Sequence, residues 1–520
     1  MPFCENVFII KNGRSLISIV SYQMICILSI LFSKNLDKRI YFLIHLYREI
    51  IFHGFEIVFK RRLFVYNTFF RPTEPGSAAA DFIPFYKDGV FHLFYLFDHR
   101  NNAKFGEGVT WYKIETTDFV NFVDKGEMVA RGKAEELDPF AFTGSVIESG
   151  GRFHMFYTGH NTTIKTYGYQ NECIMHAVSG DCDHWEKVPE DTFCAPDGYD
   201  RCDFRDPFVY QDEETGVFYM LLCARPVDGN KLRKGQTIRM KSADLAKWDF
   251  DRIIYAPNAF HTHECPDLFK MGDKWYLVFS EYSDRSVTCY RMADSPEGPW
   301  VKPANDTFDG RAYYAAKTAS DGHDRYLFGW IPTRWDNKDS GFWMWGGNLA
   351  VHKLVQNADG TLSVTVPESV AAAFGERTPL PEQTVCADNR CEVVPLTDDA
   401  PDSYRLSFDV AAECDRFGVL LHRNAEEDNA YEMRFDLSGR KLSVNRFPCF
   451  PQNEFGTYCL HRPLTGNIFH IDILVDDDIV IVYVNGSTAL SVRLCNKFGR
   501  QTALYVSDGQ AMFSDIGLYR

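Results

Sequence analysis

Helical periodicity, paired cysteines and positive charge are all scarce in this 520-residue chain. Without sustained apolar residues at i, i+3 and i+4, an α/β barrel is a poor description of its long central region. The fifteen cysteines stand singly, with no Cys-x-x-Cys pair, which excludes a zinc site of the usual spacing. Cys386 and Cys391 come nearest to each other and complete no ligand set. An odd count without framework spacing favours reduced thiols and a cytoplasmic setting. Lysine and arginine total 55 against 71 aspartate and glutamate, a formal net charge of −16. That balance excludes nucleic acid or an anionic membrane surface as partner and suits a neutral small-molecule or sugar ligand.

Alanine is absent before Ala78 and common after it. Residues 15–32, "SLISIVSYQMICILSILF", are apolar and flanked by Lys11, Arg14 and Lys34. Ser, Tyr and Gln interrupt this run, and no A-x-A-like cleavage site follows it. A second run, "YFLIHLYREIIFHGFEIVF", carries charges that a bilayer span does not tolerate. Residues 1–65 are therefore set apart as a non-core extension, either sequence upstream of a mis-assigned start or a membrane anchor, the former ranked higher.

What the chain has in quantity is aromatic residues, 15% of the total, arranged in a repeat. A Gly-containing turn leads into a strand of alternating aromatics and aliphatics five times. The copies are "KDGVFHLFYLFDH" (87–99), "SGGRFHMFYTGH" (149–160), "ETGVFYMLLCAR" (214–225), "MGDKWYLVFSEY" (271–282) and "DGHDRYLFGWIP" (321–332). Each of the first four is followed by another strand and a polar turn ending in an aromatic, such as "AVSGDCDHW" (177–185). Short strands with turn signals at this period predict an all-β, five-bladed β-propeller over residues 66–365. Beyond about residue 365 the strands alternate without the aromatic unit, which predicts a C-terminal β-sandwich over 366–520.

Counting back from the turn glycines, Asp81, Asp206 and Glu264 fall at matching places in copies one, three and four. The first strand of each propeller blade lines the central channel, so the three acids are expected to converge at one mouth. Carboxylates in an aromatic pocket suit cleavage of a glycosidic bond: one attacks the anomeric carbon, another donates a proton to the leaving oxygen. A third beside Arg205 suits sugar hydroxyls. Chemistry alone leaves open which acid does which job.

"FRDPF" (204–208), "ECPDLF" (264–269), "FTGSV" (142–146) and "ADFIPFYKDGVFHLFY" (80–95) resemble blocks of glycoside hydrolase family 32. This is the invertase, fructanase and sucrose-6-phosphate hydrolase family, a five-bladed propeller followed by a sandwich. The resemblance covers about residues 70–520. It implies Asp81 as nucleophile, Glu264 as acid/base, and Asp206 with Arg205 as the transition-state stabiliser that holds fructose hydroxyls. The implied reaction is retaining hydrolysis through a covalent fructosyl–enzyme, with no metal and no cofactor. Trp345, Gly346 and Phe142 are implied as pocket walls.

The family's nucleophile block usually reads Asn-Asp-Pro-Asn-Gly, where this chain has Ala80-Asp81-Phe82-Ile83-Pro84. Leu96 stands where the family brings a Gln into the pocket, and Asp98, His99 and Arg100 are the candidates for replacement polar contacts. The resulting expectation is a β-fructofuranosidase-like glycosidase acting on a fructose-containing oligosaccharide such as sucrose or a short fructan. Its rivals are a fructosyltransferase, a related propeller enzyme on arabinofuranosides or xylosides, and a catalytically silent sugar-binding propeller. Homo-oligomerisation stays open.

Overall fold

Alternation of buried and half-exposed residues, broken by Gly and Asp turns, makes most of the described residues strand. The computed structural model describes residues 68–162, 171–229, 232–448, 458–460 and 464–520. The expectation for residues 1–65 lies outside the described residues. Among the described residues, no helix is long and apolar enough to cross a membrane.

Five antiparallel meanders follow one another. The first is β1 (Ala78–Lys87), β2 (Val90–Asp98), β3 (Thr110–Thr116) and β4 (Val123–Val129). The second is β5 (Phe140–Ser149), β6 (Arg152–His160), β7 (Glu172–Ser179) and β8 (Trp185–Lys187), with β9 (Phe193–Cys194) also on β7. The third is β10 (Tyr199–Gln211), β11 (Phe218–Pro226), β12 (Gln236–Ser242) and β13 (Asp249–Tyr255). The fourth is β14 (His263–Met271), β15 (Lys274–Glu281) and β16 (Thr288–Ala293). The fifth is β17 (Tyr314–Ser320), β18 (Arg325–Arg334), β19 (Trp343–Gln356) and β20 (Leu362–Thr365).

These meanders occupy four sheets, because the fifth and the first are joined. β19 pairs with β1 through Ala79 and Gly347, giving the order β17-β18-β19-β1-β2-β3-β4. The junction depends on two glycines. Gly346 has φ of +75°, and a Cβ on Gly347 would sit 1.8 Å from the Ile331 carbonyl oxygen. Aromatic edges fill the space between elements. Phe91, for example, meets Tyr326 and Phe328 of β18 at 5.6 and 5.7 Å between ring centroids.

The C-terminal strands form one ten-stranded sheet. Strand Ser403–Asn424 pairs with Ile468–Asp476 over its first half and with Asn429–Asp436 over its second. Arg493, fully buried, ties this sheet to β18 and β19. It donates to the Pro332 carbonyl at 2.9 Å and to Asn348 Oδ1 at 2.6 Å, while Asp478 takes both 2.6 Å contacts from its Nη1.

One sequence expectation is overturned here. Cys173 and Cys194 form a disulfide, with Cα atoms 4.3 Å apart. They face each other across the β7–β9 pairing, a long-range register that spacing along the chain did not reveal. Reduced thiols therefore do not describe this pair, and the cytoplasmic setting loses that support. Cys386 and Cys391 are free and exposed.

Replacing Arg493 with Met should leave Asp478 and Asn348 without their buried donor, at a cost of about 3–5 kcal/mol. Thermal unfolding followed by circular dichroism should show a drop of several degrees. An unchanged midpoint would mean that the Arg493 contacts contribute nothing net.

Candidate active site

The first strand of every meander loses register with its neighbour at one corresponding place. The breaks fall between Ala80 and Ile83 in β1, Phe142 and Gly144 in β5, and Arg205 and Phe208 in β10. They recur between Glu264 and Asp267 in β14 and between Tyr314 and Lys317 in β17. In four of the five, the residue just inside the break has left-handed backbone: Asp81 (φ 44°), Asp206 (62°), Cys265 (51°) and Ala315 (52°). Non-glycine residues pay about 1 kcal/mol or more for that conformation, and they occur where a side chain must be re-aimed. Pro207 and Pro266 sit inside two of these breaks, where no ladder donor is needed.

This register corrects the sequence alignment. Asp81 and Asp206 do share one position, but Glu264 lies one residue earlier, in line with Arg205 and Tyr314. The fourth meander carries Cys265 where the other two carry aspartate. Counting from the turn glycine failed because the glycine stands second in the two-residue turn between β1 and β2 (Gly89) and first in that between β14 and β15 (Gly272).

The shared position of Arg205, Glu264 and Tyr314 on successive inner strands brings them into contact. Arg205 Nη2 donates to Glu264 Oε1 at 2.8 Å, and Tyr314 OH donates to Glu264 Oε2 at 2.7 Å. The other edge of the guanidinium meets Asp203 at 2.8 Å and Glu172 at 3.3 Å. Asp206 accepts from the Cys265 N–H at 2.9 Å, and its own N–H donates to Thr158 Oγ1 at 2.9 Å. Asp81 accepts from Trp330 Nε1 at 2.9 Å. All three acids and Arg205 line one open cavity of about 1130 Å³, large enough for an oligosaccharide end.

Burial and the neighbouring Asp206 charge push the Asp81 carboxyl up to about 8, against the pull of the Trp330 indole N–H. Asp206 is raised to about 7, chiefly by burial, with Arg205 opposing. Both effects follow from crowding carboxylates in a site with restricted water. Arg205 is held firmly charged by Glu172 and Glu264 despite its own burial.

Other expected residues divide. Phe142, Asp98, Arg100 and Trp345 line the cavity. Arg100 is committed as a brace: it donates to Thr333 Oγ1 at 2.7 Å and to the Trp345 carbonyl, and it pairs with Asp98. His99 turns elsewhere, stacking on Phe105 at 4.0 Å and meeting Glu74 at 3.0 Å. In place of the polar nucleophile collar, Phe82 is fully buried, with Phe70 at 6.4 Å and Tyr95 at 5.6 Å between ring centroids. Sequence reasoning missed Tyr314, Trp330 and Glu172. Tyr314 was legible in "AYYAAKTAS" as the copy-five counterpart of Arg205, whereas Trp330 and Glu172 reach the site from second and third strands.

A carboxyl raised in the folded state contributes stability below its ordinary value near 3.8 and loses it as pH rises through about 8. Asp81→Asn should therefore raise the unfolding midpoint by several degrees at pH 9 and leave it nearly unchanged at pH 4. Equal midpoints at pH 9, read by differential scanning calorimetry, would contradict a raised Asp81.

Residues 83–364 match the model of the glycosyl hydrolases family 32 N-terminal domain, and residues 380–520 match that family's C-terminal domain. Sucrose-6-phosphate hydrolase of Escherichia coli is 24% identical over 463 residues, covering 83% of this chain and 89% of the relative. The levanbiose-producing levanase of Bacillus subtilis is 24% identical over 473 residues, covering 83% and 86%. Fructan 1-exohydrolase IIa of Cichorium intybus superposes with a TM-score of 0.68 at 17% identity, over 87% of this chain and 96% of its own. Two family models in series over most of the chain, closing on a cavity of carboxylates, make this protein a member of glycosyl hydrolase family 32, a glycosidase that hydrolyses O-glycosyl bonds.

Proposed function

We propose that this protein is a retaining β-fructofuranosidase that releases fructose from the end of a fructose-containing oligosaccharide. The observation that carries the proposal is the convergence of Asp81, Asp206 and Glu264 from three inner strands onto one cavity. In this reading the five meanders are the blades of a propeller, with the first and fifth hydrogen-bonded to each other, and the C-terminal sheet folds over as a sandwich. Catalytic and accessory domains meet between residues 365 and 380.

Ionised Asp81 attacks the anomeric carbon and forms the fructosyl–enzyme. Protonated Glu264 passes its proton to the leaving oxygen, then as carboxylate activates water for the second displacement. Two donors, Arg205 and Tyr314, fix the direction of the Glu264 carboxyl. Asp206 accepts hydrogen bonds from fructose hydroxyls while the Cys265 N–H holds it in place. Trp330 stabilises the charged form of Asp81, the form that attacks.

Incubation with sucrose, 1-kestose, inulin and levan should release fructose, and Asp81→Ala and Glu264→Ala should each lower kcat by about 10³-fold. Release of a pentose from arabinofuranosides, with none of these sugars cleaved, would contradict the proposal. Trp330→Phe removes a donor to the ionised form, so Asp81 should lose its proton only at higher pH. The acidic limb of kcat/KM should then move upward; a limb that stays put, or moves down, would sink this role for Trp330.

A further inference from the structure

The hairpin loop between β18 and β19 carries an aromatic pair that neither the catalytic network nor the core uses. Trp335 and Phe342 stack face to face, 5.2 Å between centroids and 18° between planes. Both remain exposed, at 50% and 64%. Adjacent exposed aromatics are costly in water and mark binding surfaces.

The loop that presents them is fastened on two sides. Asp339, buried, accepts from Tyr431 OH at 2.5 Å, Asn496 Nδ2 at 2.6 Å and the Cys495 N–H at 3.0 Å, all in the C-terminal region. The Arg334 guanidinium lies 3.9 Å over the Trp343 ring and donates to the Asp339 and Gly341 carbonyls. Asp336 and Asn337 hold consecutive left-handed conformations, φ of 56° and 50°. A strained backbone clamped by buried polar contacts presents the pair already ordered, which lowers the entropy lost on binding.

The loop is also continuous with the cavity. Trp343, Met344 and Trp345, which follow Phe342 directly, line it, and Trp345 lies 6.5 Å from Trp330 at the nucleophile. Phe342 and Met344 are two residues apart, so extending the strand by one residue puts them on one face. Asp336 and Lys338, paired at 3.3 Å and exposed, add a polar rim. Apolar ring faces beside a polar rim match a sugar ring, which offers a C–H face and a hydroxyl edge.

We propose that Trp335 and Phe342 form a stacking platform for the outer units of an oligosaccharide whose terminal unit occupies the cavity. The enzyme then favours longer chains over a disaccharide. This deepens the functional reading above and rests on it.

The test compares wild type, Trp335→Ala and Phe342→Ala on sucrose and on inulin-type chains of three to five units. Each variant should lose roughly tenfold in kcat/KM on the longest chains, mostly through KM, with sucrose within about twofold of wild type. Equal changes at all lengths, or none, would overturn the platform. Failure of wild type to release fructose from any of these would overturn the functional reading instead. Tryptophan fluorescence titrated with the same chains tests the platform without turnover: a response lost in Trp335→Ala supports it, and an unchanged titration overturns it. A wild-type dimer that the double substitution turns into a monomer would assign the pair to self-association and would also overturn the proposal.

Discussion

Everything at the site depends on the repeated break in the inner strands. A regular strand would alternate its side chains strictly and could not aim two successive residues, such as Arg205 and Asp206, at one cavity. Two unpaired residues in β1, β10, β14 and β17 relax that rule, and the left-handed residue in each turns a side chain or an N–H inward. The break also decides which groups meet. Residues just before it touch across neighbouring strands, giving the Arg205–Glu264–Tyr314 chain, while residues inside it carry Asp81 and Asp206. The strain is held by the ladders on either side, which resume in register a residue or two later.

Electrostatics then follow from position. Asp81 and Asp206 share one position in their strands, and burial raises both; the Asp206 and Glu264 charges make Asp81 harder still to ionise, and the Glu264 charge does the same to Asp206. Glu264, one residue out of line, instead finds a guanidinium and a phenol. A single-residue offset thus gives carboxylates of one cavity different surroundings. The cost is borne by stability, since charge at Asp81 is disfavoured in the folded state.

Much of this was legible in the chain. The aromatic repeat gave five meanders, and "FRDPF" with "ECPDLF" pointed to the two strands that carry Arg205, Asp206 and Glu264. The one-residue offset of Glu264 was not legible, because the turn glycine stands second between β1 and β2 but first between β14 and β15. Glu172 and Trp330 were missed since third- and second-strand residues reach the cavity only after the meanders pack. The Cys173–Cys194 pairing was hidden for a related reason: β9 returns to β7 after an intervening strand. "AAADFIP" was unusual as sequence, and its physical meaning is a change of support. Phe82 and Ile83 bury themselves under Asp81, and the Trp330 indole N–H donates to its carboxylate.

The central claim is that Asp81 forms a covalent bond to the sugar. The direct measurement is peptide mass spectrometry of the Glu264→Ala variant after brief reaction with a fructosyl donor bearing a good leaving group. The account predicts one added fructosyl unit on the peptide containing Asp81, absent when Asp81 is also replaced. Turnover of that donor with no label, or a label on the Asp206 peptide, would contradict it.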